Sequence, residues 1–194
     1  MPTIDVLIIG QGICGSFLSF ELERTGLSYL VIDEARPFAA SRVAAGLINP
    51  VTGRRLVTTW MIDELLAFAQ EAYGRLGGML GDSFWEQISV TDLFPTAQMR
   101  LAFLKRLEEG SALEGVRGEE AGRAAKEGDD RAYLHLPADE QRWNAYFHYE
   151  LGYGVIHPCY LVDMPGLLAA ARKRMQGQGV LREERFEKGE LHVG

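Results

Sequence analysis

Only two cysteines, Cys14 and Cys159, occur among the 194 residues, and they stand far apart. No disulfide framework organises the chain. The four histidines (His135, His148, His157 and His192) fall in no HxxxH pattern, and the cysteines form no CxxC pair. The sequence therefore offers no metal motif. His148 and Glu150 alternate as they would on one strand face, but two residues do not make a metal site. Basic charge is also short. Twenty Lys and Arg against 27 Asp and Glu leave a net charge of −7, which disfavours broad nucleic-acid binding. Long apolar runs are missing too. The chain opens Met-Pro-Thr-Ile-Asp without a basic stretch, and its first apolar run stops at Gly10. That argues against a signal peptide and a membrane span. The absences together predict a soluble cytoplasmic protein, and 47% hydrophobic residues suffice for a substantial core.

Glycine is not short: there are 22. Three of them carry the strongest signal. The apolar run Ile4 to Ile9, broken only by Asp5, reads as a buried parallel strand. It ends in a turn holding Gly10, Gly12 and Gly15. A helical pattern follows from Ile13 to Thr25, then a second apolar run, Tyr29 to Ile32, and then Asp33. Each glycine has a role in a dinucleotide-binding turn. Gly10 permits the tight strand-to-helix turn, Gly12 lets backbone approach a pyrophosphate, and Gly15 lets helix pack on strand. The helix N-terminus offers free N–H groups and partial positive charge to phosphates. Asp33 stands where a carboxylate accepts hydrogen bonds from a ribose diol. Cys14 lies inside the turn and reads as a small, buried packing residue rather than a nucleophile.

Residues 34–55 show no clear period, and long irregular segments inside compact domains are often functional. Ile62, Leu65, Leu66, Ala69, Tyr73 and Leu76 recur at helical spacing and predict one buried helix face, which glycines 77, 78 and 81 end. Phe84 to Leu93 reads as strand and Pro95 to Leu107 as helix, with Met99, Phe103 and Leu107 on one face. Residues 108–130 mix both charge signs and read as a solvated segment. Arg131 to Leu136 reads as strand, and Tyr146 to Ile156 as paired β structure. Asp163 is placed to cap a helix with Pro165 in its first turn. Arg172, Lys173 and Arg174 fall in that helix's last turns, where cations suit the helix dipole. Gly177 and Gly179 stop it. Val180 to Phe186 then reads as strand, and Leu191 to Val193 as the start of another. A parallel strand reached through a helix suits the third strand of a Rossmann sheet. The expected organisation is a discontinuous cofactor domain, residues 1–50 and 158–194, interrupted by a substrate domain at 51–157.

The glycine turn, Asp33 and the stretch Ser41-Arg42-Val43-Ala44-Ala45-Gly46-Leu47 together resemble the FAD-dependent D-amino-acid oxidase superfamily, the glycine and sarcosine oxidases among them. The stretch Gly154-Val-Ile-His-Pro-Cys-Tyr-Leu-Val-Asp163 resembles that family's return segment. The fold implied is α/β: a Rossmann-like FAD-binding domain with a parallel sheet, interrupted by a partial α+β substrate domain. The resemblance implies that Gly10, Gly12, Ile13 and Gly15 surround the FAD pyrophosphate and that Asp33 binds the adenosine ribose. It places Ser41 and Arg42 near the phosphates, and Ala45, Gly46 and Leu47 near the flavin.

The activity implied is hydride transfer from an amine or amino acid to flavin. The partner is then a small amine or amino-acid substrate, with oligomeric state open. No catalytic residue follows from the sequence. Family members are usually nearly twice this length, so the chain is expected to be an N-terminal fragment. Arg54 and Arg55 remain candidates for a substrate carboxylate, and Tyr146, Tyr149 and Tyr153 for a pocket lining. Two alternatives stay open: an NAD(P)-dependent dehydrogenase, and a non-catalytic FAD-binding module inactive through truncation.

Overall fold

In the computed structural model residues 4–53, 56–117 and 133–187 are described, without the side chains of 109–117. The elements run in chain order as β1 (Val6–Ile9), α1 (Ile13–Thr25), β2 (Tyr29–Ile32), α2 (Ala40–Val43), β3 (Leu47–Ile48), β4 (Val51–Thr52) and β5 (Val57–Thr58). Then come α3 (Ile62–Leu80), β6 (Trp85–Leu93), α4 (Ala97–Arg117), β7 (Leu134–His135), β8 (Tyr153–Val162), α5 (Met164–Gly177) and β9 (Leu181–Arg182). The chain divides into two compact units. One holds residues 1–46, 71–85 and 162–194; the other holds 47–70 and 86–161.

The first unit is built on a parallel sheet of order β1-β2-β9. Val6 pairs with Tyr29 and Ile9 with Ile32, while Val31 pairs with Leu181. Val31, on the middle strand, is fully buried. β1 has a neighbour on one side only among the described strands, and Ile9 stays 56% exposed. The expected buried strand is thus parallel but only half-buried. α1 ends at Gly26, whose φ of +74° turns its N–H back to the Leu22 and Glu23 carbonyls, a left-handed cap that suits glycine. α5 begins as expected: the Asp163 side chain accepts from Gly166 N–H, with Pro165 in the first turn. Leu167, Leu168, Ala171 and Met175 bury that helix's inner stripe. Each buried leucine contributes about 1.5–3 kcal/mol. Tyr73, from the second half of α3, stacks on Trp85 and meets Phe17 of α1 edge-on.

The second unit is antiparallel. β8 is its long strand, flanked by β3 and β6, with β7 also paired to it. Phe103 of α4 is fully buried beside Phe94. Gly154 leaves room for that ring, because a Cβ there would collide with it. Tyr133 donates its hydroxyl to Asp63.

Several expectations are corrected. α3 runs through Gly77 and Gly78 to Leu80, and Gly81 (φ +76°) ends it. Gly77 sits against the Asp82 carbonyl, where a side chain would collide, so it serves packing rather than termination. Leu65 is 45% exposed, because the buried stripe follows Ile62, Leu66 and Leu76. α4 extends to Arg117, ten residues beyond the helix end expected at Leu107. The paired β structure begins at Tyr153, and 146–152 is irregular. β9 covers only Leu181–Arg182 of the strand expected from Val180 to Phe186. The described part of the irregular segment, residues 34–53, holds one helical turn and two short strands. Arg54, Arg55, His192, Arg131, most of the charged run and the strand expected at 191–193 lie outside the described residues.

Candidate dinucleotide site

The turn between β1 and α1 is fixed first by backbone. Gly10 adopts φ +97°, and its N–H donates to the Ile32 carbonyl at 2.8 Å. Only glycine holds that conformation without strain. Gly15 lies in α1 against the turn. A Cβ on it would collide with the Gly10 carbonyl oxygen and come within 3.2 Å of Ile8 Cγ2. Gly12 differs from both. Its φ of −86° and ψ of −168° are extended backbone, and a Cβ would meet only Ser41, at 3.0 Å from Oγ.

Gly12 heads α1 with no side chain to cap it. Ser41 Oγ accepts the Ile13 N–H at 3.1 Å instead. The first intrahelical bond runs from Ser16 N–H to the Gly12 carbonyl. Cys14 and Gly15 therefore keep amides that the helix itself cannot satisfy. Cys14 is exposed, not the buried packing residue expected, because its position on α1 faces away from the sheet.

Asp33 follows β2, and its N–H donates to the Arg182 carbonyl of β9. Its carboxylate is heavily engaged. Oδ2 accepts the Gln11 N–H at 2.9 Å; Oδ1 accepts the Ala35 N–H at 2.9 Å and Arg172 Nη1 at 2.8 Å. Arg42 Nη2 stands 3.6 Å away. Arg172 also donates to Glu183 at 2.7 Å. Burial pushes the Asp33 carboxyl up, but the Gln11 N–H, the Arg172 guanidinium and the Ala35 N–H outweigh it and hold it below the ordinary aspartate range. Burial likewise opposes the Arg172 charge, and Glu183 and Asp33 more than offset this.

Such a depressed carboxyl adds stability above its unfolded pKa of about 3.9, and that stability is lost as pH falls through the folded value. Asp33→Asn is therefore expected to lower the melting temperature at pH 7 and 5 alike, with the difference from the unaltered chain closing below about pH 4. Melting curves at stepped pH check this. A difference that stays constant down to pH 2.5 would remove Asp33 ionisation from the account.

Gln11 was not among the residues expected here, yet it is 1% exposed. Its Nε2 donates to Ser16 Oγ at 3.1 Å and to the Leu168 carbonyl at 3.0 Å. Its Oε1 accepts from Arg42 at 3.3 Å and Arg172 at 3.2 Å. Arg172 was also missed as a site residue, being read as a dipole-complementing cation. One sequence signal points to it: Leu168, Arg172 and Met175 fall on one helical stripe, a cation among buried apolar residues. Arg174, its neighbour, pairs with Glu23 instead.

The remaining candidates are placed as follows. Ala45 is exposed. Gly46 has φ +72°, accepts the Val162 N–H at 2.9 Å, and lies where a Cβ would strike the Val162 carbonyl. Leu47 pairs with Leu161 in the second unit and is exposed. In that unit Tyr146 and Tyr149 line one open surface hollow with Phe147 and His148, while Tyr153, edge-on to Tyr149, is buried and not part of its lining. Among the described residues no group of three His, Cys, Asp or Glu side chains is placed to hold a metal ion, and no helix is long and apolar enough to cross a membrane.

A family model described as FAD dependent oxidoreductase matches residues 5–187. The chain belongs to that family. The match decides for flavin over the nicotinamide alternative at the level of family. The oxidoreductase fold is shared with solved structures of low identity. Glycine oxidase from Geobacillus kaustophilus is 18% identical with a TM-score of 0.62, over 93% of this chain and 46% of that one. Iminodiacetate oxidase from Chelativorans sp. BNC1 is 21% identical with a TM-score of 0.59, over 94% and 48%. L-amino acid deaminase from Proteus vulgaris is 13% identical with a TM-score of 0.58, over 93% and 40%. No match was found among curated proteins by sequence. The chain thus spans less than half the length of these structures.

Proposed function

We propose that this chain carries the dinucleotide-binding part of an FAD-dependent oxidoreductase acting on an amine or amino acid. The observation that carries the reading is Gly12. Its backbone is extended, a conformation open to any residue, so the turn itself does not demand glycine. The missing side chain leaves room for the Ser41 hydroxyl on the Ile13 N–H, and the next two amides, of Cys14 and Gly15, have no partner within the helix, as a phosphate site needs. Gly10 and Gly15 complete the same turn for reasons of backbone geometry, and the donors around it suit an anion.

The bound flavin supplies the acceptor for hydride from the C–H beside the amine nitrogen. The chain's own residues bind and orient. The Cys14 and Gly15 amides and the positive end of α1 face the pyrophosphate, with Ile13 at the same turn. Asp33 accepts from the adenosine ribose. Ser41 offers a hydroxyl and Arg42 a charged fork close to the phosphates. Ala45 and Gly46, two small residues, and the apolar Leu47 after them run toward the flavin ring. An amine arriving neutral needs no general base, so no catalytic residue is assigned. The substrate class is supported by the family and by solved relatives described as amino-acid oxidases and deaminases, which is analogy of fold.

Reconstitution tests the cofactor. Purified protein incubated with excess FAD and desalted is expected to retain flavin absorbance and to quench flavin fluorescence. A colourless protein after saturating FAD overturns the reading.

A further inference from the structure

The Asp33 carboxylate is held from a distance in sequence. Arg172, 139 positions downstream, donates from Nη1 to both Asp33 and Gln11 and from Nη2 to Glu183. Gln11 in turn sends its N–H to Asp33 and its side chain to α1 and α5. Ala35 adopts φ +55°, unusual for a residue with a Cβ, and donates to the same carboxylate. Side-chain exposure is 13% for Arg172 and 15% for Asp33. A carboxylate oxygen has two lone-pair sites. Oδ1 uses both on Ala35 and Arg172; Oδ2 uses one on Gln11. One acceptor site remains, and its direction is fixed by the three bonds around it.

We propose that Arg172, acting with Gln11, is a positioning residue for the adenosine ribose: it orients Asp33 so that the free Oδ2 lone pair faces the ribose hydroxyls. The nucleotide site is then completed by α5, not by the N-terminal strand-helix-strand alone. This rests on the FAD reading above. The guanidinium fork is essential to it, since one arm must reach Asp33 and Gln11 while the other reaches Glu183, which a lysine ammonium cannot do.

The test compares ADP with 2′,3′-dideoxy-ADP, which keeps adenine and pyrophosphate but lacks the diol. Titration calorimetry on the full 194-residue chain gives the ratio of the two dissociation constants. In the unaltered protein the ratio is expected to be about ten, the worth of one charge-assisted hydrogen bond. In Arg172→Met it is expected to fall below about two. Arg172→Lys keeps the charge, serves if the methionine variant fails to fold, and is expected to lose most of the ratio as well. General damage to the fold weakens both nucleotides together and leaves the ratio unchanged, so an unchanged ratio in either variant overturns the proposal. Equal affinities in the unaltered chain also overturn it while leaving the dinucleotide site standing. No ADP binding by the unaltered chain overturns the site and the proposal together.

Discussion

Replacing Gly12 with valine is expected to abolish FAD uptake while leaving the protein folded. Valine adopts φ −86° with ψ −168° readily, since this is the β region that branched residues favour. The added Cβ meets only the Ser41 side chain, 3.0 Å from Oγ and 3.7 Å from Cβ. Ser41 is part-exposed and turns aside at the loss of its bond to the Ile13 N–H, a cost of about 1 kcal/mol. The binding cost is of another order. The branched side chain stands at the head of α1, where the pyrophosphate must come within hydrogen-bond distance of the Cys14 and Gly15 amides. A loss of at least about a hundredfold in FAD affinity follows, equivalent to about 2.8 kcal/mol. Flavin fluorescence titration reads the affinity, and far-UV circular dichroism with a thermal melt reads the fold. Undiminished FAD affinity in a folded Gly12→Val protein would remove this turn from the cofactor site.

The turn was legible because its constraints are local. Gly10, Gly15 and the two apolar runs lie within one strand-helix-strand stretch, where Gly15 answers to Gly10 and Ile8 and Gly10 to Ile32 on the next strand. The network behind it was not legible. Gln11 meets Leu168 and Arg172, 157 and 161 positions on, and no local pattern marks such a pairing. Nothing in the turn singles out its glutamine; its role rests on contacts with α5. Arg172 sat in an Arg-Lys-Arg run that a helix dipole explains equally well. The same reasoning accounts for the errors of extent. α4 continues past Leu107 because the Glu, Ala, Leu and Arg residues that follow are helix formers whatever their charge. Tyr146 and Phe147 look like strand residues by type, yet they precede the strand, which starts at Tyr153.

Gly15→Ala tests the other half of the motif, and the expected effect is on stability. By propensity alone alanine favours a helix over glycine by about 1 kcal/mol, so the substitution would strengthen α1 in isolation. In the folded unit the new Cβ collides with the Gly10 carbonyl oxygen and crowds Ile8. Gly10 cannot give way cheaply: the peptide that carries its carbonyl is held by the Gln11 N–H, which donates to Asp33 Oδ2 at 2.9 Å, and the peptide before it is held by the Gly10 N–H bond to the Ile32 carbonyl. Relief must come from lifting α1 off β1, which opens the contact over Ile8 and loosens the packing of Phe20 and Leu22. Overpacking of this kind usually costs about 1–3 kcal/mol. Here the obstacle is backbone, so the net loss is expected at the top of that range or beyond, despite the gain in propensity. A fall in melting temperature of about 10 °C or more corresponds. Amide exchange should localise the damage to β1, α1 and β2 ahead of the antiparallel unit. An alanine variant melting with the unaltered protein would show that α1 stands farther from the turn than this packing allows. Gly12→Val in parallel separates the two roles, since it should spare the melt and remove the flavin.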